Sequence, residues 1–126
     1  MMDSGEPFCA IDHIQLAMPV GGEAMARAFY VEVLGMVETP KPEELVERGG
    51  CWFRSGTINI HLGVESTEFK PARKAHPGLI CSDFDALMAA LQDAGVKINF
   101  NEALDRRRAF VDDAFGNRIE LLEKIA

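Results

Sequence analysis

The sequence contains no apolar run approaching the roughly 18 residues needed to cross a bilayer, which excludes an integral helical membrane protein. Its start, Met1-Met2-Asp3-Ser4-Gly5-Glu6-Pro7, has neither a basic region nor an apolar stretch behind it, so no secretory signal is expected and the expected location is the cytoplasm. Basic charge is scarce: 13 Lys and Arg stand against 20 Asp and Glu, a net charge of −7. That balance argues against nucleic acid as the main partner, because phosphate binding needs a basic footprint. The one basic cluster, Arg106-Arg107-Arg108, reads as a solvated strand end or loop. Three cysteines (Cys9, Cys51, Cys81) are odd in number and form no C-x-x-C, which excludes a disulfide framework and a zinc ribbon and fits a reducing compartment. Cys81 lies in an apolar run and reads as a small core residue.

What remains is an ordinary globular composition, 48% apolar and 26% charged over 126 residues, enough for one domain or two half-domains sharing a core. From Ile11 to Met18 apolar and polar residues alternate, with Ile14, Leu16 and Met18 on one face and His13 and Gln15 on the other, which predicts a strand. Glu23 to Leu34 predicts a helix whose apolar stripe is Met25, Phe29, Val33, Ala26, Tyr30 and Leu34, with Gly35 as its left-handed stop. A short strand follows at 36–38, then a polar loop at 43–50 behind Pro40-Lys41-Pro42. Strands are expected at 51–54 and 57–64, the latter with Ile58, Ile60, Leu62 and Val64 opposite Asn59 and His61. After a polar linker at 66–75 the pattern restarts: strand 76–81, a helix from a Ser82 or Asp83 cap to Ala94 with Gly95 as its stop, strand 96–100, a loop, and strands 107–112 and 118–123.

Each half therefore reads strand, helix, strand, strand, strand, giving two modules at 9–65 and 76–124 behind an arm at 1–8. The repeat places metal-competent side chains at matched positions. His13 and His61, 48 residues apart, fall on the first and last strands of one module; His76 and Glu120, 44 apart, fall on those of the other. With the halves related by an approximate two-fold, all four meet on one concave surface, where three imidazoles and a carboxylate suit a divalent transition metal. Each residue alone has a plainer reading: a strand histidine is usually a hydrogen-bonded structural group, and a glutamate in a final strand usually faces water. The matched placement of all three histidines is what favours the metal.

The stretches Ile11-Asp12-His13-Ile14-Gln15-Leu16, Ala28-Phe29-Tyr30-Val31-Glu32-Val33-Leu34-Gly35, Ile60-His61-Leu62-Gly63, His76-Pro77-Gly78-Leu79 and Asp113-Ala114-Phe115-Gly116-Asn117-Arg118-Ile119-Glu120-Leu121 resemble the vicinal oxygen chelate superfamily of glyoxalase I, fosfomycin- and bleomycin-resistance proteins and extradiol dioxygenases, over residues 9–124. The resemblance implies an α+β fold in which two βαβββ modules, related by a pseudo-two-fold, form a cup-shaped, partly open β-barrel. It implies metal ligands from the first and last strand of each module, here His13, His61, His76 and Glu120, for Zn, Ni, Co, Mn or Fe. Two departures stand out: glyoxalase I enzymes carry glutamate where His61 stands, and Ala114 replaces the proline of the usual aspartate-proline ending.

Such proteins bind two neighbouring oxygens of a substrate to one ion. With three histidines committed as ligands, the general base falls to Glu120, to an ion-bound hydroxide, or to nothing in a noncatalytic site. Gln15, on the His13 face, is a candidate substrate contact or a filler of the cup wall. Arg54, Arg108 and Arg118 are candidate anchors for an anionic substrate such as glutathione, or plain surface and ion-paired residues. The first functional expectation is a small lyase, isomerase or thiol-transferase metalloenzyme. The alternatives are a non-catalytic drug- or metabolite-binding protein of the bleomycin-resistance kind, and an iron(II) dioxygenase using His13, His76 and Glu120, with His61 surplus. A homodimer is the expected assembly, with modules paired within or between chains.

Overall fold

In the computed structural model, which describes residues 5–66, 68–101 and 105–125, the chain folds as two four-stranded sheets, each carrying its module's helix. The first comprises β1 (Ile14–Pro19), β2 (Val37–Thr39), β3 (Cys51–Ser55) and β4 (Ile58–Glu65); the second comprises β5 (Gly78–Cys81), β6 (Asn99–Asn101), β7 (Arg108–Asp112) and β8 (Arg118–Glu123). Their orders, β1-β4-β3-β2 and β5-β8-β7-β6, are the same topology written twice. In each, the first and last strands pair in parallel and the others antiparallel. This is the α+β architecture of paired βαβββ modules; the two sheets are not closed into a barrel by strand pairing.

Side-chain alternation sets the layers. Leu16 and Met18 on β1, Cys51 and Phe53 on β3, and Ile60 and Leu62 on β4 turn inward; on the second sheet Ala109, Val111, Ile119 and Leu121 do the same. These join Ala26, Phe29, Tyr30, Phe84, Met88 and Leu91 in one continuous apolar cluster that spans both modules. The opposite faces of both sheets carry the polar and histidine-bearing residues.

Helix α2 (Phe84–Asp93) starts where Asp83 accepts a hydrogen bond from the Ala86 amide at 3.0 Å, and Gly95 with φ +75° ends it. The first helix departs from its expected form. Glu23–Arg27 (α1) is α-helical, but Ala28–Val33 widens to a π-helix before Gly35, at φ +76°, closes it. The wider turn rotates the stripe: Ala26, Phe29 and Tyr30 are buried, while Met25 is left 56% exposed. Residues 43–48 form a 3-10 helix rather than a loop, and β5 and β6 begin later than the expected strands at 76 and 96. Residues 1–4 of the expected arm, residue 67 of the linker and residues 102–104 of the second polar loop lie outside the described residues.

Polar contacts among the described residues join the modules. The buried Tyr30 hydroxyl donates to Asp113 Oδ2 at 2.6 Å, and Asn117 Nδ2 donates to the Ala17 carbonyl at 2.7 Å. Phe115 closes the joint against Gly22, where a Cβ would come within 2.9 Å of its ring.

Candidate functional site

The parallel pairing of β1 with β4 sets Gln15 opposite His61, so His13, one residue ahead of the strand, shares their face. His13 and His61 stack, with ring centroids 4.2 Å apart and planes 12° from parallel. On its other side His61 stacks on Trp52, its cross-strand neighbour on β3, at 3.8 Å and 3°. Gln15 lies along Gly63, where a Cβ would meet its amide nitrogen at 2.6 Å; the glycine leaves the room that this side chain fills. Burial, and after it the neighbouring His13, hold His61 below the ordinary imidazole range, with Asp12 pulling the other way.

The second sheet repeats the arrangement. His76 stands just ahead of β5, and its Nε2 lies 2.9 Å from Glu120 Oε1 on β8. Arg108 on β7 donates from Nη1 to the other carboxylate oxygen at 3.0 Å. Burial pushes the Glu120 carboxyl up, but the hydrogen bonds and charges of His76 and Arg108 outweigh it and leave it below the usual carboxylate range. Phe110 lies beneath this group: the His76 ring meets it edge-on at 5.3 Å, and the Arg118 and Arg108 guanidiniums approach it to 4.2 and 5.5 Å.

The four expected ligands are thus brought together two by two, and among the described residues no group of three or more His, Cys, Asp or Glu is placed to hold an ion. In each pair one histidine is held through Nδ1. His13 Nδ1 faces Asp12 Oδ2 at 2.8 Å, and His76 Nδ1 faces the Lys74 carbonyl at 2.7 Å. Each contact engages Nδ1 and leaves Nε2 as the coordinating atom, the second-shell pattern of metal-bound histidines. The 2.9 Å between His76 Nε2 and Glu120 Oε1 matches the roughly 3.0 Å between adjacent ligand atoms about 2.1 Å from one ion at a right angle. The His13–His61 pair is not set for chelation as stacked, since the lone pairs of parallel rings run side by side; His13, at 41% side-chain exposure, has the room to turn.

Of the arginines named from sequence, Arg108 and Arg118 join the second pair, whereas Arg54 is exposed on the first sheet. Arg107, in the same basic cluster, is spent on Asp85 and Glu123. Sequence reasoning missed Trp52 and Phe110. Both sit cross-strand from a ligand candidate, Trp52 from His61 and Phe110 from Glu120, a relation only the strand register reveals.

The model of the Glyoxalase/Bleomycin resistance protein/Dioxygenase superfamily matches residues 10–121. The chain is similar to a glyoxalase family protein from Bacillus anthracis, at 47% identity over 95% of this chain and 98% of that one, with a TM-score of 0.89. It also resembles an antibiotic binding protein from Streptomyces sp. CB03234 (26% identity, 94% and 100% covered, TM-score 0.67). A lactoylglutathione lyase from Agrobacterium tumefaciens shares the fold (17% identity, 94% and 96% covered, TM-score 0.67). No curated protein matches the chain.

Proposed function

The chain belongs to the Glyoxalase/Bleomycin resistance protein/Dioxygenase superfamily, and from that premise we propose that it is a divalent-metal-binding protein of glyoxalase type, a small metalloenzyme acting on a compound with two neighbouring oxygens. The ligands in this reading are His13, His61, His76 and Glu120, each module supplying half. The observation that carries it is the preparation of the histidines: Nδ1 of His13 and of His76 is engaged by a neighbouring oxygen, and His76 sits at ligand-to-ligand spacing from Glu120.

A bound divalent ion would polarise the paired oxygens of the substrate as a Lewis acid. The chain's own groups do the rest. Glu120 holds the proton-accepting position; the hydrogen bonds of His76 and Arg108 keep its carboxyl below the usual carboxylate range, and Arg108 fixes its orientation. Gln15 offers a hydrogen-bonding amide on the face of His13, and Trp52 covers one side of His61 and excludes water there. Arg108 and Arg118 supply positive charge for an anionic substrate.

Elemental analysis of protein purified without added metal tests the reading. About one equivalent of transition metal per chain is expected, falling severalfold in His61→Ala and Glu120→Ala; unchanged metal content in both variants would rule these ligands out. A second reading, a non-catalytic ligand-binding protein, draws support from the Trp52–His61–His13 ring stack, a surface suited to a flat ligand, and from the similarity to the Streptomyces antibiotic binding protein. It predicts metal-independent binding of planar aromatics with quenching of Trp52 fluorescence.

A further inference from the structure

We propose that the crevice between strand β1 and the linker at residues 69–77 is a small-molecule site in its own right, one that takes an α-amino acid with an apolar side chain. It goes beyond the metal reading and needs no metal; the two share only Gln15 and His76, at opposite ends of the crevice.

Two cavities lie along β1 beside the linker, and Leu16, Ala72 and Asn117 line both. One, of about 400 Å³, is bounded by Gln15, Glu65, Phe69 and Lys70, and is of a size that holds a small molecule. The other, of about 250 Å³, is largely apolar, with Ile14, Ala75 and Pro77 in its walls. The linker is fastened in place. Arg73 Nη1 donates to the Gly116 carbonyl at 3.0 Å, and Arg118 Nη1 donates to the Arg73 carbonyl at 3.0 Å. Pro71 packs so closely on this turn that a Cβ at Gly116 would come within 3.0 Å of its ring. The crevice is therefore formed before a ligand arrives, which spares part of the ordering cost of binding.

The polar groups that line the larger cavity are unspent. Asn117 is only 6% exposed, and its Nδ2 serves the Ala17 carbonyl and Asp113 Oδ2. Its Oδ1 accepts from no described residue and is not shut off from solvent, so it is the atom this buried side chain has left to offer a ligand donor. The side chains of Lys70, Glu65 and Gln15 make no ion pair or hydrogen bond with any described residue. A free cation and a free anion in one cavity select a ligand that carries both charges. An anion alone would meet Glu65, and a cation alone would meet Lys70. The ammonium of an amino acid donates to Asn117 Oδ1 and Glu65, while its carboxylate pairs with Lys70 and accepts from the Gln15 amide. The apolar side chain then runs past Leu16 into the second cavity.

The test titrates the full-length, metal-free, isotope-labelled protein with leucine and follows the Asn117 side-chain amide pair and the Lys70 backbone amide by NMR. Leucine is expected to shift both saturably. Glycine lacks the apolar body, isocaproate the ammonium and isopentylamine the carboxylate; each should bind about tenfold or more weakly, the loss of one good contact. Lys70→Gln should weaken leucine by about tenfold and leave isopentylamine unaffected, whereas Lys97→Gln, at a residue that lines neither cavity, leaves leucine binding unchanged. Ala72→Phe, at an exposed linker position where the cavities meet, fills the crevice and should abolish the response while the protein melts as the wild type does. Signals that ignore leucine, an analogue that binds as tightly as leucine, or undiminished binding by Lys70→Gln or Ala72→Phe would each overturn the proposal. Because no metal is present, the outcome is independent of the ligand set proposed above, whose failure would show in metal content alone.

Discussion

The Asp113 carboxylate accepts four hydrogen bonds in the interior, and Tyr30→Phe probes it cleanly. Asp113 Oδ2 accepts from the Tyr30 hydroxyl at 2.6 Å and from Asn117 Nδ2 at 2.9 Å, while Oδ1 accepts from the Phe115 and Asn117 amides, each at 2.9 Å. Tyr30 is fully buried; burial, and then the charge and hydrogen bond of Asp113, push its phenol well above the ordinary range, so it stays a neutral donor. Removing the hydroxyl deletes one of four donors and leaves the shape of the core nearly unchanged. A buried hydrogen bond to a charged group contributes about 1.5–3 kcal/mol, against a total stability of about 5–15 kcal/mol. Tyr30→Phe should therefore lower the unfolding free energy by about 2 kcal/mol and the melting temperature by about 5–12 °C. Urea unfolding followed by circular dichroism and by the single tryptophan, Trp52, measures it. The two probes should report one transition in the wild-type protein, because one core spans both modules. A loss under about 0.5 kcal/mol would refute the claim that this bond ties the modules together. Asp113→Ala is the harsher change: four donors lose their acceptor and the expected loss exceeds about 4 kcal/mol.

Further expectations concern the site and its supports. His76 Nε2 lies 2.9 Å from Glu120 Oε1, so in the metal-binding reading metal affinity measured by calorimetry should fall about tenfold or more in His76→Ala; unchanged affinity would deny that the ion enters there. Acid should destabilise the fold in two steps. His61 is held below its ordinary value of 6.5, so the unfolded chain binds the extra proton and stability falls as pH drops below about 6.5. Glu120, also depressed, contributes stability that is present above about 4.5 and is lost as pH falls through its lower folded value. In His61→Ala the upper step should vanish from urea titrations across pH, and its persistence would assign that step elsewhere. Gly50→Ala should unfold the protein at ordinary temperatures or cost about 3 kcal/mol or more, since the added Cβ would lie 2.1 Å from the Leu62 carbonyl oxygen at φ +88°; retention of wild-type melting would contradict that clash.

The doubling of the fold was legible because period-two alternation in Ile14–Met18 and Ile58–Val64 is a local signal that recurs after the linker. The donor candidates followed, since the repeat gives first and last strands matched places. Other features had no local signature. The widening of the first helix at Ala28–Val33 has no signature in the stripe, of which Ala26, Phe29 and Tyr30 are buried and Met25 is left exposed. The stack of Trp52 on His61 and the seat of Arg108 on Glu120 depend on cross-strand register and on which rotamer a long side chain adopts. The sequence also shows Asp113-Ala114-Phe115-Gly116-Asn117 as a turn, but not that its acid reaches back to a tyrosine 83 residues earlier.

The parallel marriage of each module's opening strand to its closing strand has a consequence for biosynthesis. Ile14 waits for Ile60, and Gly78 for Glu120, before either sheet has its parallel pair. Contacts so distant along the chain form late and slowly. While the ribosome is still extruding the second sheet's final strand, His76 has no carboxylate beside it and Arg108 no anchor, so a truncated or stalled chain carries the imidazole and the guanidinium but not the pocket they make.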